Sequence, residues 1–180
     1  MPVIAVLWVL AKCDGGPGFF SQCRVGQNGQ GFQCWKIRTM VEGAEAKLHA
    51  HLADNPDAAA EWARECKLSD DPRITRLGGF LRRSSLDELP QIWNILKGDM
   101  SFVGPRPVVH EELARYGSFQ GAYLAPKPGV TGVWQVSGRN DVDYAERVRM
   151  DVEYLAKASP AFDVSIILRT AAVVVTRTGK

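Results

Sequence analysis

The chain opens with a run, Pro2 to Ala11 (PVIAVLWVLA), that is apolar at every position, so none of its faces is built to meet water. Such a run is about half a bilayer crossing, since a spanning helix needs about 20 residues. It reads either as a buried core segment or as half of a membrane-inserted element. After Gly15-Gly16-Pro17-Gly18 the period shortens. Phe19 to Val25 and Gly31 to Ile37 flank Gln27-Asn28-Gly29-Gln30. Asn-Gly between two such runs predicts a β-hairpin at about 19–38, because both residues tolerate positive φ.

Residues 41–71 are rich in Ala and carry eight acids against three bases, reading as two helices broken at Asn55-Pro56 with a solvated surface. Pro72 to Arg83 reverses the sign, with Arg73, Arg76, Arg82 and Arg83 and no acid. That reversal suits a face turned toward an anion, and equally a helix-terminal or salt-bridging role. Ser84 to Asp99 predicts one capped helix, with Ser85 and Glu88 as a capping box and Gly98 as the stop. Met100 to Pro107 reads as a rigid loop holding Arg106 between two prolines. Helical patterns at about 108–116 and 141–157 flank a turn-rich stretch, Ala125 to Asn140. Val164 to Val175 is apolar again, too short to span, and suits a core or interfacial helix.

The balance of 46% hydrophobic and 23% charged residues over 180 positions is that of one folded domain. A net charge of +2 does not mark a nucleic-acid binder. No stretch reaches the roughly 18 uninterrupted apolar residues of a spanning helix. Cys13, Cys23, Cys34 and Cys66 form no CxxC pair and read as scattered reduced thiols. Residues 1–10 lack a basic leader and a small-residue cleavage site, so no secretory signal is expected.

The densest chemistry lies at Asp87-Glu88, preceded by Arg82 and Arg83 and followed by Arg106. Adjacent carboxylates suit a shared divalent cation, Mg²⁺ being usual beside phosphates. A carboxylate can also attack phosphorus directly. Both tasks want guanidinium groups nearby, whose forks match phosphate oxygens. The same acids also suit a first helical turn, where they complement the dipole. The residues alone leave these alternatives open.

Several motifs narrow the choice. RVGQNG from Arg24, FQCWKIRTM from Phe32, DPRITRLG from Asp71, LRRSSLDELPQ from Leu81, NILKGDMSFVGPRP from Asn94 and PGVTGVWQVSGR from Pro128 resemble, in order, the bacterial sugar transferase family. These are monotopic polyprenyl-phosphate phosphoglycosyl transferases, and the likeness is strongest to exopolysaccharide-initiating members of galactose- or glucose-phosphate type. The resemblance implies transfer of a sugar 1-phosphate from a UDP-sugar to undecaprenyl phosphate, with release of UMP. It implies Asp87 as nucleophile and, with Glu88, as the Mg²⁺ site; Arg82, Arg106 and Arg139 would hold phosphate. The implied partners are a UDP-sugar, undecaprenyl phosphate and the membrane surface at the cytoplasmic face of the bacterial inner membrane, not nucleic acid; self-association is allowed.

The implied fold is α+β and mostly α: a compact helical domain with the hairpin near its N-terminus, and interfacial amphipathic helices. Residues 1–12 would be the remnant of a re-entrant membrane helix, and 13–180 a single catalytic domain with a C-terminal interfacial helix at about 160–176. Pro2 matches the proline at the family's helix break, so the incoming half of that helix is expected to be missing. Unpaired backbone in lipid is costly, which predicts weaker anchoring and puts activity in question.

Three other readings compete: a non-catalytic membrane-peripheral regulator of polysaccharide assembly, a metal-dependent phosphohydrolase, and a nucleic-acid binder built on Arg73 to Arg83. The last lacks interleaved aromatics. Trp8, Trp93 and Trp134 read as packing or interface aromatics, and His110 as surface. Gln135, Ser137 and Arg139 are candidates for contact with uridine or diphosphate.

Overall fold

The structure, a computed structural model, describes residues 2–13, 15–65, 68–138 and 142–175. Helix α1 (Pro2–Lys12) leads into the antiparallel hairpin of β1 (Phe19–Val25) and β2 (Gly31–Ile37), in register from Phe19 opposite Ile37 to Val25 opposite Gly31. Asn28 (φ 57°) and Gly29 (φ 80°) take the left-handed conformations that the turn demands, at the predicted place. Next come α2 (Ala44–Asp54) and α3 (Pro56–Glu65), separated at Asn55 as expected. Helix α4 (Arg76–Ser84), a 3₁₀ helix (Leu86–Gln91) and α5 (Ile92–Lys97) follow.

The remainder holds β3 (Ser101–Val103), α6 (His110–Leu113), a 3₁₀ segment (Ala114–Phe119), α7 (Gln120–Leu124), β4 (Gly129–Thr131), α8 (Val133–Val136), α9 (Tyr144–Lys157) and α10 (Pro160–Val175). The fold is thus mostly helical with a small N-terminal hairpin, and no described helix is long and apolar enough to cross a membrane.

Residues 84–99 do not form the single capped helix predicted. Thr75 caps α4, its hydroxyl accepting from Gly78 N at 2.9 Å, and Ser85 ends that helix at φ 56° with no side-chain cap bond. Pro90 lacks the N–H that a continuous α-helix needs and its ring crowds the preceding turn. The chain runs 3₁₀ through Pro90 and becomes α-helical only at Ile92. Gly98 (φ 86°) closes α5 as expected.

Residues 100–107 and 125–140 hold more than loop. β3 and β4 pair in parallel, Ser101 opposite Gly129 and Val103 opposite Thr131. Strands of three residues are too short to display an alternating pattern. Their crossing is so close that a Cβ on Gly104 or Gly129 would strike the partner backbone.

Three apolar clusters hold these elements. Leu7, Ala11, Ile37 and Leu81 join α1, β2 and α4; Val25, Val108, Leu113, Tyr116, Tyr123 and Val148 join the hairpin to α6, α7 and α9; Val103, Tyr154 and Ile166 join β3, α9 and α10. The initial apolar run is therefore one-sided. Leu7 and Ala11 are buried, while Val3, Val6, Val9 and Leu10 are exposed.

Candidate active site

The hairpin has two faces because side chains alternate along a strand. Phe19 and Ile37 point into the cluster with α1. The alternate face carries Arg24 on β1 and Cys34 and Lys36 on β2, and it lies over the 3₁₀ helix that bears Asp87, Glu88 and Gln91. Between them is a recess lined by Arg24, Cys34, Lys36, Glu88, Gln91 and Arg106, with Gly129 and Val130 of β4 closing one side.

Asn94 sets this stacking. It is fully buried; its Oδ1 accepts from Trp35 N at 3.2 Å, and its Nδ2 donates to Gln33 O at 2.7 Å and to Asp99 Oδ2 at 3.2 Å. One side chain thus satisfies two outer-edge backbone groups of β2 and ties that strand to the helix beneath. Tyr123 does the same at the far end, its hydroxyl donating to Val25 O at 2.6 Å and accepting from Val108 N at 3.1 Å.

Glu88 is the electrostatic centre of the recess. Lys36 Nζ lies 2.6 Å from its Oε1, and Arg106 Nη1 lies 3.7 Å from the same oxygen. Arg24 is held nearby, donating to Pro107 O at 3.3 Å and to Gln22 Oε1 at 2.7 Å. Asp87 is buried at 7% exposure. Burial pushes its carboxyl above the ordinary value; Lys36 opposes this, Glu88 adds to it, and Arg82 opposes it. Burial likewise raises the Cys34 thiol. Arg82 is positioned by its Nε, which donates to Thr39 Oγ1 at 2.9 Å.

Of the residues predicted for the site, Glu88 and Arg106 line the recess, and Asp87 and Arg82 interact through their charges. Arg139 lies outside the described residues. Gln135 donates to Val130 O at 3.1 Å, behind the β4 wall, and Ser137 is exposed and does not line the recess. His110 is exposed and Trp134 buried, in line with the surface and packing roles read for them. Sequence reasoning missed Lys36, Arg24, Cys34, Gln91 and Asn94. Strand alternation puts residues 34 and 36 on one face, and the observed register, Val25 opposite Gly31, adds residue 24 to it.

The residues fit a Mg²⁺ ion held jointly with phosphates. Such an ion ordinarily takes one or two carboxylates, the rest of its shell coming from phosphate and water. Asp87 and Glu88 provide that number, and a cation would offset the Glu88 charge, which adds to burial in raising the Asp87 carboxyl. Among the described residues, no set of three or more His, Cys, Asp or Glu side chains forms a protein-only cage.

Asp87 is buried and Glu88 half-buried, with the cations Lys36, Arg82 and Arg106 around them, an arrangement whose charges suit phosphate oxygens. The family model described as bacterial sugar transferase matches residues 1–177, and the chain belongs to that family. It is 50% identical over 178 residues to the undecaprenyl-phosphate galactose phosphotransferase of Salmonella typhimurium, covering 99% of this chain and 37% of that protein. It is 48% identical over 170 residues to the exopolysaccharide production protein ExoY of Rhizobium meliloti, covering 94% of this chain and 75% of that protein. The UDP-glucose:undecaprenyl-phosphate glucose-1-phosphate transferase of Escherichia coli is 37% identical over 180 residues, covering 94% of this chain and 35% of that protein. The chain thus spans less than two-fifths of the Salmonella and Escherichia proteins.

Proposed function

We propose that this chain transfers a sugar 1-phosphate from a UDP-sugar, of galactose or glucose type, to undecaprenyl phosphate, as the first step of a surface glycan. The observation that carries this is the buried Asp87 beside Glu88, faced by Lys36, Arg82 and Arg106, in a chain of this family. The names of the relatives support the substrate class.

Asp87 attacks the sugar-bearing phosphorus through a carboxylate oxygen. The new O–P bond forms as the bond to the UMP oxygen breaks, and UMP leaves with that electron pair. An oxygen of the lipid phosphate then attacks the same phosphorus, the Asp87–phosphorus bond breaks, and the carboxylate returns. Arg82 and Arg106 bind phosphate oxygens and offset the developing charge. Lys36 holds Glu88 in place through its contact with Oε1. Mg²⁺, when bound through Asp87 and Glu88, supplies further positive charge at the phosphates.

Residues 13–180 act as one catalytic unit at the cytoplasmic face of the inner membrane, and residues 1–12 belong to the family's re-entrant membrane helix. The exposed apolar side chains of α1 and those of α10 (Val164, Ile167 and Leu168) support seating on lipid.

The test is a two-stage assay with radiolabelled UDP-galactose and UDP-glucose in detergent with Mg²⁺. Without lipid, UMP should appear in one equivalent per enzyme, together with a sugar-phosphate adduct on Asp87 found by mass spectrometry. Adding undecaprenyl phosphate should discharge the adduct into lipid. Asp87→Asn should form no adduct. Transfer that persists in Asp87→Asn would refute the covalent role.

A further inference from the structure

One group in the recess has no role in that chemistry. Gln91 lies on the 3₁₀ helix one turn beyond Glu88; it is 2% exposed and lines the recess, yet its Oε1 has no hydrogen-bond partner. A buried unpaired acceptor is destabilising, and two of the three cations lining the recess are held elsewhere. Lys36 is held on Glu88 and Arg24 on Pro107 O and Gln22.

We propose that Gln91 is a specificity residue whose carboxamide oxygen accepts a hydrogen bond from a hydroxyl of the hexose carried by the substrate. This rests on the reading that the recess binds a nucleoside-diphosphate hexose. A carbonyl oxygen pairs with a donor, and phosphate oxygens at neutral pH are acceptors, so the ligand group it meets is a hydroxyl. Residues three apart in a 3₁₀ helix stack on one side, about 6 Å apart along the axis. With a phosphate at Glu88, that spacing is the reach of the hexose bonded directly to the reacting phosphate. The uracil ring is farther, beyond a second phosphate and a ribose. A site that pairs a buried acceptor with one hydroxyl rejects the sugar lacking it, because the acceptor is then left unpaired.

The test compares wild type with Gln91→Met, which keeps length and removes the acceptor, and with Gln91→Leu should Met disturb the fold. Binding of UDP, UDP-galactose, UDP-glucose and their mono-deoxy analogues is measured by calorimetry, and kcat/KM by transfer to undecaprenyl phosphate. Gln91→Met should melt no lower than wild type, bind UDP equally, and lose about 10- to 100-fold in kcat/KM for the hexose donor. One deoxy analogue should show the same loss with wild type and no further loss with Gln91→Met.

Equal penalties in both enzymes for every analogue would overturn the assignment, as would a wild type indifferent to every single deoxygenation. A fall in UDP affinity matching the fall for the hexose donor would also overturn it, moving Gln91 to the nucleotide. In those cases wild-type transfer would still uphold the proposed function. Failure of wild type to bind any UDP-hexose would overturn both.

Discussion

Asp151 on α9 is 1% exposed, and its Oδ2 accepts from the Tyr116 hydroxyl at 2.7 Å. Burial pushes its carboxyl up to about 7 from the ordinary 3.8, while the Tyr116 bond pulls the other way. The folded protein therefore holds this proton to higher pH than the unfolded chain does. Its contribution to stability is full below 3.8 and is lost as pH rises through about 7. At about 1.36 kcal/mol per pH unit, that interval corresponds to roughly 4 kcal/mol. Asp151→Asn keeps an acceptor oxygen for Tyr116 and carries no charge. The variant should match wild type near pH 4, gain on it steadily, and level off above about pH 7 with an advantage of up to roughly 4 kcal/mol. For a chain of this length that is on the order of 10 °C in melting temperature. Circular-dichroism melts of both proteins from pH 4.5 to 8.5 measure it, since all other titrations cancel in the difference. A constant offset across that range, or a variant less stable than wild type at pH 8, would refute the assignment.

Two other perturbations probe the site and its frame. Burial and Glu88 hold the Asp87 carboxyl above its ordinary range while Lys36 and Arg82 oppose them, so the acid limb of UMP release should lie above the ordinary carboxylate range. Glu88→Gln should move that limb to lower pH and Lys36→Met to higher pH, as read by stopped-flow at a series of pH values; shifts of the opposite sign would sink the electrostatic account. Asn94→Ala strands the Trp35 N–H and the Gln33 carbonyl and leaves a cavity, so urea unfolding should show a loss of roughly 2–5 kcal/mol. A loss under about 1 kcal/mol would mean that Asn94 does not hold the hairpin.

Much of the frame was legible because its signals are local. Asn28-Gly29 carries the hairpin, Asn55-Pro56 the break between α2 and α3, and Gly98 the end of α5, each through the backbone geometry of one or two residues. The motifs that resemble the family carried Asp87, Glu88, Arg82 and Arg106. What failed depended on distant partners. Ser85 and Glu88 have the spacing of a capping box, yet Thr75 caps α4 and Ser85 is the left-handed residue that ends it. β3 and β4 pair across 28 residues of sequence, and nothing local to Ser101 announces Gly129. Asn94 reads as an ordinary polar residue of a helix until β2 is laid against it, and Gln91 becomes notable only when its oxygen is found without a donor.

The apolar first helix and the arginine beside the dyad are parts of one frame. Arg38 sits at the C-terminal end of α1, where a cation suits the helix dipole. Its guanidinium donates to Ala11 O at 2.6 Å, to Pro17 O at 2.6 Å and to Met40 O at 2.9 Å. The next residue, Thr39, faces the other way. Its carbonyl accepts from Thr75 N at 3.0 Å, its hydroxyl accepts from Arg82, and a side chain in place of Gly78 would collide with it. Residues 38–40 therefore grip α1 on one side and α4 on the other, with no flexible link between. Ser85 closes α4 two residues before Asp87, so the segment that holds α1 also holds the helix leading into the dyad. The same three residues thus fix the end of α1 and place the Arg82 guanidinium.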